Sequence, residues 1–272
     1  YHQIRGGVIA LSTILEVAAE RREEIRGLTN ASRMRAISAG HAGEGEVILD
    51  YEVSNRGDEP VWMPDDNAEL GYSLQNVPVW LRWVPTRTTS RPVGYIMPPA
   101  MAGVVPILLD HDIAVYRFAG PGSLDAEVYY ATEVRTESYF QGHYLKAVEV
   151  ERESERVDVQ EGWFWVPTGQ SMGNLITYLM EPETEDNLIT WGWTDHILEE
   201  TPESEEAVLE SMLAGRSLSE VGPEQAERMR ERAAAMMSER QRVPMMRVTE
   251  HQPMSVLRVQ PYHQFQRNRF FR

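Results

Sequence analysis

The chain of 272 residues contains no cysteine. This absence excludes disulfide bonds, thiolate zinc sites, iron–sulfur clusters and cysteine nucleophiles. Long apolar runs are also missing, because no stretch approaches the roughly 18 residues that a membrane-spanning helix requires. The sequence therefore predicts a protein without a membrane span, whose chemistry rests on side chains other than thiols.

Positive charge is scarce as well. Lysine and arginine number 26 against 42 aspartates and glutamates, and the formal net charge is −16. Such an acidic balance excludes a protein that coats nucleic acid, which requires a net basic surface. A hydrophobic content of 42% with 9% aromatic residues is typical of a globular chain.

The common catalytic signatures are absent from the sequence: there is no glycine-rich phosphate loop, no Gly-x-Ser-x-Gly and no His-Glu-x-x-His. His41 and Glu44 have the spacing of a zinc half-site, for which His111 or His143 could supply the third ligand. The alternative is a polar, glycine-rich connection. The residues alone indicate no catalytic set and no cofactor bound by this chain.

Hydrophobic periodicity divides the first two thirds of the chain. Apolar residues three and four apart predict a helix over residues 3–29 that extends toward Gly40. Alternation of period two begins at Glu46, and residues 55–58 are typical of a hairpin turn. Residues 92–118 predict a small α/β insert, strand–helix–strand with a parallel crossover. The segment that follows is rich in predicted strands.

The C-terminal third differs in composition. Residues 199–243 predict two helices beginning at Thr201 and Pro223, and residues 244–272 predict an extended basic arm with little fold of its own. Residues 181–210 carry eleven acids and no base. We therefore expect the arm to dock on this acidic stretch of a neighbouring subunit in a homo-oligomer. The whole pattern predicts an α+β chain: an N-terminal helix, a β-sandwich-like module with the α/β insert, and a helical C-terminal tail.

Two groups of aromatic residues are candidates for a pocket or an interface. Phe140, Gln141 and His143 surround a glycine at a strand start, where a tight turn could present the histidine to a pocket or hold it on the backbone. Trp163 and Trp165 share one strand face, and such a pair either stacks on a sugar or peptide or packs in a core.

Four elements in order carry a family resemblance. Residues 1–26 look like the last helix of a peptidase fold, and residues 91–99 with 112–115 are similar to a Pro-x-Gly-Tyr, helix, Gly-Ile-x-Val pattern. Residues 140–143 match a recurring Phe-Gln/Glu-Gly-His element, and residues 162–175 with 178–183 resemble a signature that ends in Leu-Leu-Glu-Pro. Together, residues 1–198 resemble the region after the catalytic domain in large bacterial members of the zinc carboxypeptidase family.

The resemblance implies that residues 1–40 complete a peptidase-like domain and that residues 41–198 form an accessory module. In that family the zinc ligands, substrate-binding arginines and catalytic glutamate precede the final helix, so none of them matches a residue here. His41 and Glu44 follow the helix and are not the family's zinc pair. The resemblance implies zinc in a parent catalytic domain, an N-terminal peptidase-like partner, and an extracellular or periplasmic location. A structural assembly protein and a glycan- or peptide-binding module are the alternatives.

Overall fold

The computed structural model describes residues 2–202, 204–217, 220–238 and 240–260. The helices of this part of the chain are α1 (His2–Glu20), α2 (Arg22–Ala42), α3 (Val105–Asp110), α4 (Gly173–Met180), α5 (Glu205–Leu213) and α6 (Pro223–Ser238). Its strands are β1 (Glu46–Ser54), β2 (Asp58–Pro64), β3 (Tyr72–Pro78), β4 (Arg82–Ser90), β5 (Gly94–Met97), β6 (Tyr116–Phe118), β7 (Gly122–Phe140), β8 (His143–Val159), β9 (Phe164–Pro167), β10 (Gln241–Arg242), β11 (Met246–Val248) and β12 (Val256–Arg258). The predicted α+β class is confirmed.

Helices α1 and α2 follow each other with helical hydrogen bonding across Arg21. The Arg21 amide donates to the Val17 carbonyl and the Ile25 amide donates to the Arg21 carbonyl, each at 2.9 Å. The run ends at Gly43, whose φ of +66° gives the left-handed cap that glycine favours. No helix in the described ranges is long and apolar enough to cross a membrane.

Residues 46–90 form a two-stranded structure that we call the hairpin arm. Strand β1 pairs with β4, β2 pairs with β3, and both pairs are antiparallel. Between the two pairs the Arg56 amide donates to the Val79 carbonyl, and the Val79 amide donates to the Gly57 carbonyl. The predicted turn at residues 55–58 is therefore wrong. The ladder continues through it, and the chain reverses at residues 65–71.

The main sheet has eight antiparallel strands. Strand β8 pairs with β7, and the order across the rest is β10-β7-β11-β5-β9-β6-β12. Strands β5 and β6 both pair antiparallel with β9, so they run parallel to each other. A 3₁₀ turn (Pro99–Val104) and α3 connect them, which is the predicted crossover with β9 inserted. Within the described residues this is one large sheet, rather than the two sheets of a sandwich.

Each face of the main sheet carries its own hydrophobic core. Residues from α3 and α4 cover one face, where the core includes Tyr95, Met97, Leu108, Ile176 and Met180. The opposite core is built by the strands and adjoining chain, and includes Ile96, Val128, Trp165, Met246 and Val248. Helices α5 and α6 pack on each other around small separate clusters.

The C-terminal segment departs from its prediction. Strand β11 lies between β5 and β7, and Met245, Met246 and Val248 are buried. Strand β12 pairs with β6. An extended arm without a fold of its own is therefore wrong for residues 245–258, because neighbouring strands supply the backbone partners that the segment cannot supply alone. Residues 261–272 of the predicted arm lie outside the described residues.

The predicted helical segment contains α5 and α6, and α6 begins at Pro223 as expected. Helix α5 is capped by Ser204, whose hydroxyl accepts the Ala207 amide at 3.1 Å, and Thr201 is not its cap. The Thr201 hydroxyl instead accepts the Val134 amide at 2.8 Å. Thr201 thus fastens the entry to the helical segment onto strand β7.

Candidate functional site

Within the described residues, the zinc half-site proposed at His41 and Glu44 has no third ligand. The described part of the chain holds no group of three histidine, aspartate or glutamate side chains that could bind a metal ion. His41 stacks against His251 with ring centroids 4.7 Å apart, and its carbonyl lies 2.5 Å from the His251 Nε2. His111 bonds to the carbonyl of Ile107 in its own helix. Within the described ranges, His41 and Glu44 therefore lack a ligand set that fits zinc.

Residues 140–143 form the turn that joins β7 and β8. Gln141 and Gly142 both have positive φ, +48° and +91°, as a two-residue turn with the twist of a hairpin requires. Phe140 and His143 pair across the turn, and Phe140 is exposed. The His143 ring meets Trp191 edge-on at 5.8 Å and lines a cleft of about 720 Å³.

Trp163 and Trp165 belong to the core. Trp165 is buried, and a Cβ on Gly94 would lie 2.3 Å from its ring, so glycine is what allows strand β5 to pass. Trp163 is half-buried against the same cluster. Trp163 and Trp165 therefore pack against the core, which was the alternative to stacking on a sugar or peptide.

A buried polar cluster lies at the base of the hairpin arm. Glu181, fully buried after α4, accepts hydrogen bonds from the hydroxyls of Tyr95 and Tyr129. Arg247 on β11 is also fully buried, and its Nε lies 3.1 Å from a Glu181 oxygen. A buried carboxylate requires this set of donors, because unpaired burial of a charge is very costly.

Arg247 also holds the end of the hairpin arm. Its guanidinium reaches Glu127 at 2.8 Å, donates to the Ser90 carbonyl, and lies 3.4 Å from the Thr89 hydroxyl. Within one chain, the basic C-terminal segment therefore meets the acidic stretch at Arg247 and Glu181. Docking of the arm on a neighbouring subunit stays a prediction. One side chain ties together the last residues of β4, the turn after α4 and the centre of the main sheet.

Burial sets the protonation of this cluster. It raises the pKa of Glu181 to about 7, and the hydrogen bonds from Tyr129 and Tyr95 oppose that rise. Burial, together with the charge of Glu181, raises the pKa of both tyrosines, so both remain hydrogen-bond donors. Because Glu181 and Arg247 expose no surface, the cluster positions the arm and is closed to a substrate.

Sequence reasoning missed the cluster although two of its members lie in resemblance motifs. Tyr95 is the tyrosine of the Gly-Tyr element, and Glu181 is the glutamate of the Glu-Pro signature. Their spacing gave no indication that they meet. Arg247 was concealed by the arginine-rich composition of the tail, in which no pattern distinguishes a buried arginine from exposed ones.

Many large hydrophobic side chains on α1 and the hairpin arm are exposed and open to a partner. Exposed large hydrophobic residues of α1 are Ile4, Val8, Ile9, Leu11, Ile14, Leu15 and Val17. On the arm they include Val61, Trp62, Met63, Leu74, Trp80, Leu81 and Trp83. Exposed apolar surface marks interaction sites in folded proteins where the side chains form a continuous patch.

Fold and site together define an α+β module with a buried ionic anchor and two apolar projections. Comparisons of the chain with protein-family models, curated proteins and solved structures find no match.

Proposed function

We propose that this chain is a non-catalytic accessory module that braces a zinc-carboxypeptidase-like catalytic domain. The observation that carries the proposal is the exposure of α1: Ile4 is 73% exposed, Leu11 63% and Leu15 69%. Burying an aliphatic side chain of this size contributes about 1.5–3 kcal/mol. A partner that covers the helix and buries these side chains therefore adds a stabilisation that the isolated chain lacks.

The geometry of α1, α2 and the hairpin arm supports an extensive contact with a catalytic domain rather than a small one. Helix α2 meets the body at Gly40, where the backbones of α2 and Thr168 are in close contact, and α1 lies one helix further out. The apolar residues of α1 fall on more than one side of the helix, as in a helix packed within a larger domain. Exposed tryptophans of the hairpin arm supply the large flat anchors that dominate protein interfaces.

The resemblance of residues 1–26 to the last helix of a peptidase fold supports the identity of the partner. Zinc, its ligands and the hydrolysis of a peptide bond would belong to that domain. The part of this chain is to supply the closing helix and to shape access to the catalytic cleft with the hairpin arm.

Intact mass and N-terminal sequencing of the natively expressed protein test the proposal. We expect a longer chain, or a tightly held companion fragment, that carries a His-x-x-Glu pair, a later histidine and bound zinc. A mature protein that begins at Tyr1 and has no companion would overturn it. Self-association of such a protein through α1 would place it among assembly proteins instead.

A variant sharpens the same test. Replacing Ile4, Leu11 and Leu15 with serine is expected to loosen the catalytic domain, seen as new protease cleavage between it and the module. The matched changes Glu16→Ser and Glu20→Ser alter the same helix without removing apolar surface, and we expect cleavage to stay as in the native protein. Equal cleavage in both variants would contradict a docked apolar face.

A further inference from the structure

A cleft of about 830 Å³ lies where the hairpin arm meets the body. Strands β1 and β4 form one wall, and α4 with the turn after it forms the other. It is separate from the buried Glu181 cluster, because its lining side chains reach solvent. Trp83 is the one tryptophan in its lining.

A β-bulge shapes the first wall. The pairing of β1 with β4 shifts register on both sides of Asp50, opposite Arg87. In a regular strand, adjacent residues point to opposite faces. Here Asp50 and its neighbour Tyr51 both line the cleft, as a bulge that redirects side chains permits.

Aromatic rings are the main apolar surface of the cleft. The rings of Tyr51 and Trp83 meet edge to face, with centroids 4.8 Å apart, and Tyr178 of α4 lies on the opposite wall. The Tyr51 hydroxyl donates to Glu185 at 3.0 Å. This bond fixes an aromatic ring and a carboxylate at one position in the cleft.

The charges of the cleft are mostly negative. Three carboxylates, Asp50, Glu183 and Glu185, face one guanidinium, Arg87, which pairs with Glu183 at 3.1 Å. Within the described ranges, no basic side chain forms an ion pair with Asp50 or Glu185. The hydrogen bond to Glu185, and the charge of Glu185, raise the pKa of the Tyr51 hydroxyl, which reports the same negative field.

We propose that this cleft binds an organic cation, an alkylammonium or guanidinium group of the kind that lysine and arginine carry. Ring faces of tryptophan and tyrosine attract such cations, and a nearby carboxylate adds a charge-assisted hydrogen bond. An anion would meet the net negative charge. A bare metal ion would require a closer cluster of oxygen ligands than these walls offer.

Titration of the ¹⁵N-labelled full chain, followed by NMR, tests the proposal. The probes are tetramethylammonium and the capped amino acids Nα-acetyl-lysine methylamide and Nα-acetyl-arginine methylamide, and the neutral control is Nα-acetyl-norleucine methylamide. We expect the cations to shift the indole signal of Trp83, with a dissociation constant on the order of 1 mM, and the neutral compound to leave it in place. Equal shifts with the neutral compound would overturn the proposal.

Matched variants separate the cleft from the rest of the arm. We expect Trp83→Ala to weaken cation binding about 2- to 30-fold, and Trp80→Ala, equally exposed but outside the cleft, to leave it unchanged. Glu185→Gln keeps an acceptor for Tyr51 and is expected to weaken binding, whereas Glu52→Gln, the same charge change outside the cleft lining, is not. Equal losses in cleft and control variants would overturn the site.

A further experiment tests whether the cation belongs to a protein segment or to a free amine. A ten-residue glycine–serine peptide with one central lysine is compared with the capped lysine. Binding at least tenfold tighter assigns the cleft to a protein segment, and equal binding assigns it to a free amine. Either result retains the site, and the absence of binding by all the cationic probes overturns it.

Discussion

The interior of the main sheet and the two projecting elements differ in which residues they bury and which they expose to water. Within the main sheet and the turn packed on it, even an arginine and a glutamate are fully buried. Glu181 accepts hydrogen bonds from Tyr95 and Tyr129, and Arg247 pairs with Glu127 and Glu181. On α1, leucines and isoleucines are exposed to water. Burying a polar group without a hydrogen-bond partner costs free energy, and so does exposing an apolar group to water. The first arrangement is complete within this chain, and we propose that a partner covering α1 completes the second.

The contrast predicts which residues govern stability and which govern association. We expect the residues of the polar cluster to contribute most to holding the hairpin arm on the body. Residues of α1 contribute little to the isolated fold and are available for a partner. Substitutions in the two regions should therefore separate stability from association.

The largest effect is expected from Arg247→Met at pH 8. The change leaves Glu181 as a buried carboxylate without its cation, whereas the partly exposed Glu127 keeps Arg152 at 3.6 Å. Breaking a buried pair in this way costs about 3–5 kcal/mol. Urea unfolding measures the loss. The exposed Arg258→Met on β12 is the control and should change stability by less than about 0.5 kcal/mol. Similar losses for the two variants would refute the anchoring role of Arg247.

The pH dependence of stability is the next largest effect. Because burial raises the pKa of Glu181 to about 7 from an ordinary 4.5, the folded state binds more protons than the unfolded state between these values. The free energy of unfolding should therefore fall as pH rises from about 4.5 to 7, by about 3 kcal/mol from this group. Unfolding of Glu181→Gln across that range should lack this component. The exposed Glu149→Gln should retain it, and identical profiles for the native protein and Glu181→Gln would contradict the assignment.

A smaller effect is expected where α2 joins the body. A Cβ on Gly40 would lie 2.1 Å from the Thr168 carbonyl oxygen, so Gly40→Ala must push the helix away. We expect a loss of about 1–3 kcal/mol in thermal or urea unfolding. Gly27 on the same helix has open space around its Cα, and Gly27→Ala should stabilise the helix by up to about 1 kcal/mol. A gain in both variants would show that the end of α2 is not packed as described.

Local patterns in the sequence predicted the elements that depend on local chemistry. Periodicity and turn residues predicted a helix over residues 3–29 that extends toward Gly40, where the structure has α1 and α2. They also predicted the turn at Gln141 and Gly142 and the start of α6 at Pro223. What could not be predicted depends on partners distant in sequence. Strand β11 is a strand only because β5 and β7 flank it. The residues that most resemble a turn, 55–58, continue a ladder because Val79 lies opposite them.

The candidate site was less predictable than the fold for the same reason. The proposed functional residues were selected for unusual chemistry in one stretch of chain, and Trp165 proved to be core packing over Gly94. The cluster that does organise the arm joins residues 95, 129, 181 and 247. No local motif encodes a buried ion pair of that separation, and only the topology of the main sheet brings its members together.

The smallest effect on stability is expected from the exposed helix. Leu11 and Leu15 are more than three-fifths exposed, so replacing each with serine removes almost no contact and costs only the small difference in helix propensity, a few tenths of a kcal/mol. Urea unfolding of the isolated chain should therefore change by less than about 0.5 kcal/mol per substitution. The buried Leu108→Ser is the control and should cost several times more, since Leu108 is fully enclosed beneath the main sheet. If the α1 variants instead destabilised the isolated chain as strongly as Leu108→Ser, α1 would have to pack on this chain's own body. The contrast between a sheet stabilised within the chain and a helix open to a partner would then fail.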